Sequence, residues 1–217
     1  MAGQTRPVIM WFRRDLRLSD NPALAAAAKA GAPLLSIFIL DDKAAGRFRP
    51  GGASRWWLHG SLEALSESLG GHLVLRRGET AETIEALLDE TGAAAIHTAA
   101  AYEPYERGLE AAVEKLCKDR AVTFERHEGR LLNPPDSIHT NDGVPYRVFT
   151  PYWKAAKRKR FRALLKAPKL GDFANVESDA LDDWNLRPRK PDWGRGLAQD
   201  MDPRRESGQG GARGIHR

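Results

Sequence analysis

Three groups of residues in this sequence have types and spacings that could do chemistry. Arg13, Arg14, Asp15, Arg17 and Asp20 follow directly on the apolar run Val8-Ile-Met-Trp-Phe12. Charges placed between a strand end and a helix start pair with one another and satisfy exposed backbone groups; the same set can also contact an anion or a cofactor. The second group is Tyr102-Glu-Pro-Tyr-Glu-Arg107. Pro104 opens a helix there, and Glu106 falls in its first turn, where a carboxylate complements the helix dipole. Tyr105 adds a ring that can stack on a flat heterocycle. The third group is Lys154, Lys157, Arg158, Lys159, Arg160 and Arg162, interleaved with Tyr152, Trp153 and Phe161. That alternation suits a nucleic-acid surface, and it equally suits a solvated helix face with Phe161, Leu164 and Leu165 as its buried stripe.

Several other chemistries lack their residues. No GxGxxG or Walker loop follows an apolar run, and there is no serine nucleophile elbow, so no catalytic residue is expected within the chain. The six histidines show no metal-ligand spacing, and no metal site is expected. Cys117 is the one cysteine, which excludes an internal disulfide; it should pack as a small apolar residue on a helix. Neither a signal peptide nor a membrane span can be found, and a cytoplasmic monomer is expected. The net charge of +5 is concentrated in Lys154–Lys166 and near the C-terminus, which permits an anionic partner.

The elements that must position these groups alternate. Val8–Phe12 and Leu34–Leu40 are short apolar runs that suit strands buried on both faces, and His72–Leu75, Ala94–Ala100 and Val122–Arg126 read as three further strands. Between them lie helical stretches. Asn21-Pro22 opens the first, which ends near Gly31. Leu58, Leu62, Leu65 and Leu69 form the stripe of the second, Thr80 caps the third, and Pro104 starts the fourth. The reading is an α/β fold, a doubly wound, five-stranded parallel Rossmann-like sheet with helices on both faces. Ligands of such sheets sit beyond the carboxyl ends of the strands, so the loops after Phe12, Leu40 and Ala100 are the ones to watch. Leu40 and Asp41 are placed to wall such a pocket, and Arg47–Gly52 could form a lid over it or a plain surface loop. A helix from Thr150-Pro151 to about Leu165 carries the basic group.

Three stretches resemble the photolyase/cryptochrome family: Trp11-Phe-Arg-Arg-Asp-Leu-Arg-Leu-Ser-Asp-Asn-Pro-Ala-Leu24, more loosely Arg55-Trp-Trp-Leu-His-Gly-Ser-Leu62, and Pro145-Tyr-Arg-Val-Phe-Thr-Pro-Tyr-Trp-Lys154. The resemblance implies the N-terminal antenna domain of a DNA photolyase. Its chromophore would be methenyl-tetrahydrofolate or a deazaflavin or flavin. A following helical domain would bind FAD and use light to repair cyclobutane pyrimidine dimers in damaged DNA. In folate-carrying members an Asn-Glu pair contacts the pterin; Glu106 matches the glutamate, whereas Tyr105 replaces the asparagine. The basic surface of Lys154, Lys157, Arg158 and Arg160 would lie near the DNA. A cryptochrome-like photoreceptor and a standalone nucleotide-binding module are the alternatives.

This gives an antenna domain over residues 1–135, a basic helix and interdomain linker over 136–186, and a tail over 187–217. The tail is rich in Arg, Gly, Asp and Pro and is expected to be disordered. Met201-Asp-Pro-Arg-Arg-Glu206 can be back-translated so that a one-base shift reads Trp-Thr-Pro-Gly-Glu, as in the family. A frameshift near Asp200 is therefore the expected origin of the tail.

Overall fold

The computed structural model describes residues 5–196. Strands β1 (Val8–Phe12), β2 (Leu34–Leu40), β3 (Leu73–Arg77), β4 (Ala95–Ala99) and β5 (Thr123–His127) form one sheet in the order β3-β2-β1-β4-β5. Every pairing is parallel, with Val8 opposite both Leu34 and Ala95. Helices α1 (Pro22–Lys29), α2 (Gly52–Ser68), α3 (Thr80–Thr91) and α4 (Pro104–Asp119) make the crossovers. This is the doubly wound Rossmann-like sheet that the alternating pattern predicts.

Because β1 and β2 are covered on both faces, every residue of each is buried, which is why they read as unbroken apolar runs. Alternation of side chains then divides the core in two. Val8, Met10, Phe12, Phe38 and Leu75 pack with Leu24 of α1 and Leu62 and Leu65 of α2. Ile9, Trp11, Ile37, Val74 and Ile96 pack on the other face with Ile84 of α3 and with Val113 and Cys117 of α4. Burial pushes the Cys117 thiol up to about 11, so it stays an uncharged packing residue at neutral pH. Asn21 caps α1, its side-chain oxygen accepting from the Leu24 amide at 3.1 Å, and Pro22 takes the first helical position. Thr80 is not the cap of α3 but its first residue. The capping oxygen comes from Asp41, which accepts from both the amide and the hydroxyl of Thr80 at 2.9 Å.

The chain departs most from expectation after residue 156. Helix α5 covers Phe149–Ala156 and does not reach Leu165. The next segment makes backbone bonds elsewhere: the Asp20 amide donates to Leu165 O at 2.8 Å, and Leu165 N donates to the Asp20 carboxylate at 3.2 Å. Phe161, Leu164 and Leu165 are exposed, so they form no buried stripe. The stretch read as a linker folds back on the sheet. Leu34 N donates to Asp172 O, Ala174 N to Leu34 O and Asp179 N to Leu75 O, covering the otherwise open side of β2 and β3. Trp184 and Leu186 are buried in the α1–α2 core, with the Trp184 ring 6.2 Å from Phe38. Residues 187–196, expected to be disordered, continue along α2. The Trp193 ring lies so near Gly52 that a Cβ there would stand 2.9 Å away. The rest of the tail, with the expected frameshift, lies outside the described residues. No helix among the described residues is long and apolar enough to cross a membrane.

Residues 172–186 are thus structural. Trp184→Ala should lower the stability of the chain by about 3–5 kcal/mol in urea unfolding. A loss well under 1 kcal/mol would mean that this segment is only laid over the sheet.

Candidate functional site

Strand order reverses between β1 and β4, and the chain leaves these two strands in divergent directions. A crevice opens at such a point. Arg13, the first residue beyond β1, fills its floor. Its guanidinium donates to Thr98 Oγ1 at 3.2 Å, to the carbonyl of Ala99 and to Glu110 of α4, and lies 4.6 Å over the Trp11 ring. Glu110, itself buried, also accepts from the Ala101 amide at 2.7 Å. One ion pair thereby ties the exits of β1 and β4 to the middle of α4.

Above it stands a second, larger network. The buried carboxylate of Glu106 accepts from Arg14 through one oxygen and from Arg130 through the other, at 2.9 Å. Arg130 also donates to both oxygens of Glu103, at 2.9 and 3.2 Å. Arg14 reaches the Tyr105 hydroxyl, which in turn donates to Glu106 at 3.2 Å. Burial works against the charge on Arg14 and Arg130, but their carboxylate partners outweigh it and raise both guanidinium pKa values. Burial raises Tyr105 as well, so the phenol stays protonated.

The loop after β2 completes the rim. Phe48 stacks on Tyr105 with centroids 6.5 Å apart and planes 11° from parallel, and Arg47 lies 4.8 Å over Phe48. The loop expected as a lid thus meets the helix expected to hold a ligand. Phe48 keeps 64% of its surface exposed and Arg14 half of its side chain, so this rim presents a flat ring beside a cation.

The remaining predicted residues fall elsewhere. Leu40 is buried in the α1–α2 core, and Asp41 binds backbone. The Asp41 carboxylate accepts from the amides of Lys43 and Ala44 as well as from Thr80, and these bonds outweigh burial to hold its pKa low. Asp41 therefore shapes the β2 loop and the start of α3 and has no oxygen turned to a ligand. Arg13 and Arg14 pair with α4, not chiefly with Asp15 and Asp20 as their spacing implies. Lys154 is on α5, Lys157 caps it with its ammonium 5.6 Å over the Trp153 ring, and Arg158 and Arg160 follow in non-helical chain. All four are exposed, and they form a strip, not one helix face.

Two further groupings escaped sequence reasoning. Arg130 lies beyond the last strand with no motif around it, although it is the hub of the glutamates. His97, Glu125 and His127 come together on β4 and β5, where strand register sets Glu125 opposite His97. Burial lowers both histidine pKa values against the pull of Glu125.

Glu103 gives the network a pH signature. Burial favours its neutral form, yet hydrogen bonds from Arg130 and the charges of Arg130 and Arg14 bring its pKa from 4.5 to about 2. Between those values the folded chain binds fewer protons than the unfolded one, so the stability that Glu103 adds is whole above pH 4.5 and drains as pH falls to about 2. Urea unfolding across that window should show a steeper acid loss for the native chain than for Glu103→Gln. Equal slopes would contradict the pairing.

With this geometry in hand, comparison with known proteins gives a consistent result. The DNA photolyase family model matches residues 8–169. The deoxyribodipyrimidine photo-lyase of Agrobacterium fabrum is 40% identical over 209 residues, which cover 94% of this chain and 43% of that protein. Cryptochrome-2 of Arabidopsis thaliana is 37% identical over 75% of this chain and 27% of its own length. Among solved structures, a bacterial class III photolyase from Agrobacterium tumefaciens superposes with a TM-score of 0.86 at 38% identity, again over 94% of this chain and 43% of that one. The archaeal photolyase of Sulfolobus tokodaii, solved with two FAD molecules, has a TM-score of 0.71 at 22% identity, which speaks for the fold alone. The chain spans less than half the length of these relatives. It belongs to the DNA photolyase family, of which it carries the N-terminal α/β domain.

Proposed function

We propose that this chain is the antenna-chromophore domain of a DNA photolyase that repairs cyclobutane pyrimidine dimers with light and a reduced FAD held in a further helical domain. The observation that carries this reading is the meeting of three loops at the β1–β4 crevice, where Arg14, Tyr105, Glu106 and Phe48 set an aromatic platform beside paired charges. Such a rim suits a flat heterocycle with an anionic tail, the shared chemistry of folates and flavins. The chromophore absorbs near-ultraviolet or blue light and passes the excitation to the flavin.

The fit has a condition. Both Glu106 oxygens are engaged, one by Arg14 and one by Arg130. A pterin amino edge can reach the carboxylate only by displacing Arg14, the more exposed of the two cations. The platform of Phe48 and Tyr105 is open without that change, so stacking is the first contact and Glu106 fixes orientation. Leu40 and Asp41 contribute the wall behind β2 and no direct contact. Exposed Val148, Phe149 and Trp153 give the second domain an apolar face to dock on. Lys154, Lys157, Arg158 and Arg160 form a basic strip suited to steering the whole protein, as a cytoplasmic monomer, to damaged DNA.

Titration of the purified chain with methenyl-tetrahydrofolate, and separately with FMN and a deazaflavin, should give saturable binding and a shifted absorption band for one class. Tyr105→Ala and Glu106→Ala should each weaken it about tenfold or more, as loss of one good contact does. Binding by any of them that survives both substitutions would place the chromophore elsewhere. The chain by itself, irradiated with blue light, should leave dimers in DNA unrepaired; repair by this domain alone would overturn the division of labour.

A further inference from the structure

We propose that His97, Glu125 and His127 form a binding site for a divalent zinc-class metal ion on the α1 face of the sheet. His97 lies in the middle of β4 and Glu125 directly opposite it on β5, with His127 two residues further on. Residues at that spacing on adjacent parallel strands point to the same face. This is the face on which Ala95 packs against the α1–α2 core, with the alanine-rich α1 overhead. Arg126 points the other way, toward Glu114 at 3.0 Å, so its cation is kept off the site.

The distances lie close to those a metal requires. His97 Nδ1 lies 2.9 Å from His127 Nε2, and each of these nitrogens is 3.5 Å from the same carboxylate oxygen of Glu125. Ligand atoms at tetrahedral angles around zinc, with bonds of about 2.0–2.1 Å, stand about 3.3–3.4 Å apart. The triangle therefore needs only a few tenths of an ångström of adjustment. The imidazole centroids are 5.1 Å apart while the two nitrogens are at 2.9 Å, so these two nitrogens face each other across the gap between the rings. Two imidazoles and one carboxylate suit first-row divalent ions, and three protein ligands leave one position for water or a further ligand. His97 is buried, His127 largely buried and Glu125 half-exposed, so the site opens from the β5 edge. None of its three ligands is among the residues assigned to the chromophore.

A single hydrogen bond between the two rings is the competing account, and binding separates the two. Separate metal-free samples of the 217-residue chain, without an affinity tag, are dialysed against Zn2+ or titrated with Co2+. The expected result is one metal equivalent per chain and the visible ligand-field bands of four-coordinate cobalt. His127→Ala should weaken binding at least about 100-fold, beyond what losing an outer partner of a ligand costs. The conservative, solvent-side Glu125→Gln should weaken it less while leaving the circular dichroism unchanged. Metal binding that is absent in the native chain, or unaltered in both variants, would overturn the assignment.

Discussion

The buried pair of Arg13 and Glu110 is the constraint on which the carboxyl end of this sheet depends. A parallel sheet whose strand order reverses must open a gap where two adjacent strands send their chains apart. Here an arginine side chain only 10% exposed closes the floor of that gap, held by Thr98, the Ala99 carbonyl and a glutamate side chain only 3% exposed. Two charges removed from water in this way add little net stability as a pair, but removing either partner typically costs about 3–5 kcal/mol. The pair therefore acts as a pin. It fixes α4 against β1 and β4, and so fixes where Tyr105 and Glu106 stand one turn nearer the helix start.

The upper network follows from that placement. Once α4 is pinned, Glu103 and Glu106 come within reach of Arg14 from the β1 loop and Arg130 from beyond β5. Charge on these groups is sustained largely by one another, and their outer edge is the aromatic pair of Tyr105 and Phe48. Structural roles and the proposed ligand-binding role are not rivals here. Arg13 and Arg130 serve mainly to hold, while Arg14, half-exposed, can change partner without loss of the floor.

Those parts of the fold whose causes are local were legible in the sequence. Asn21-Pro22 and Gly31 delimit α1 because cap, fixed φ and left-handed exit all act within a turn of the residues that specify them. The buried strands announce themselves because both their faces are covered. Thr80 was misread because its true cap, Asp41, belongs to another loop. The helix through Leu165 fails because Asp20 offers that backbone a partner from across the molecule. Trp184 looked like linker since nothing nearby in sequence says that Phe38 awaits it. In the site, Tyr105 and Glu106 stood out by resemblance, whereas Arg130 and the His97–His127 pair depend on strand register and remained invisible.

The central claim is that the crevice pinned by Arg13 and Glu110 is the chromophore site. It is tested most directly by mapping backbone amide chemical shifts of the chain at saturation with whichever chromophore binds. The account predicts shifts concentrated at Arg13–Arg14, Gly46–Phe48 and Glu103–Glu106, with β3 and α3 unmoved. Shifts clustered around Arg76–Glu90, or along α5 with the crevice silent, would contradict it.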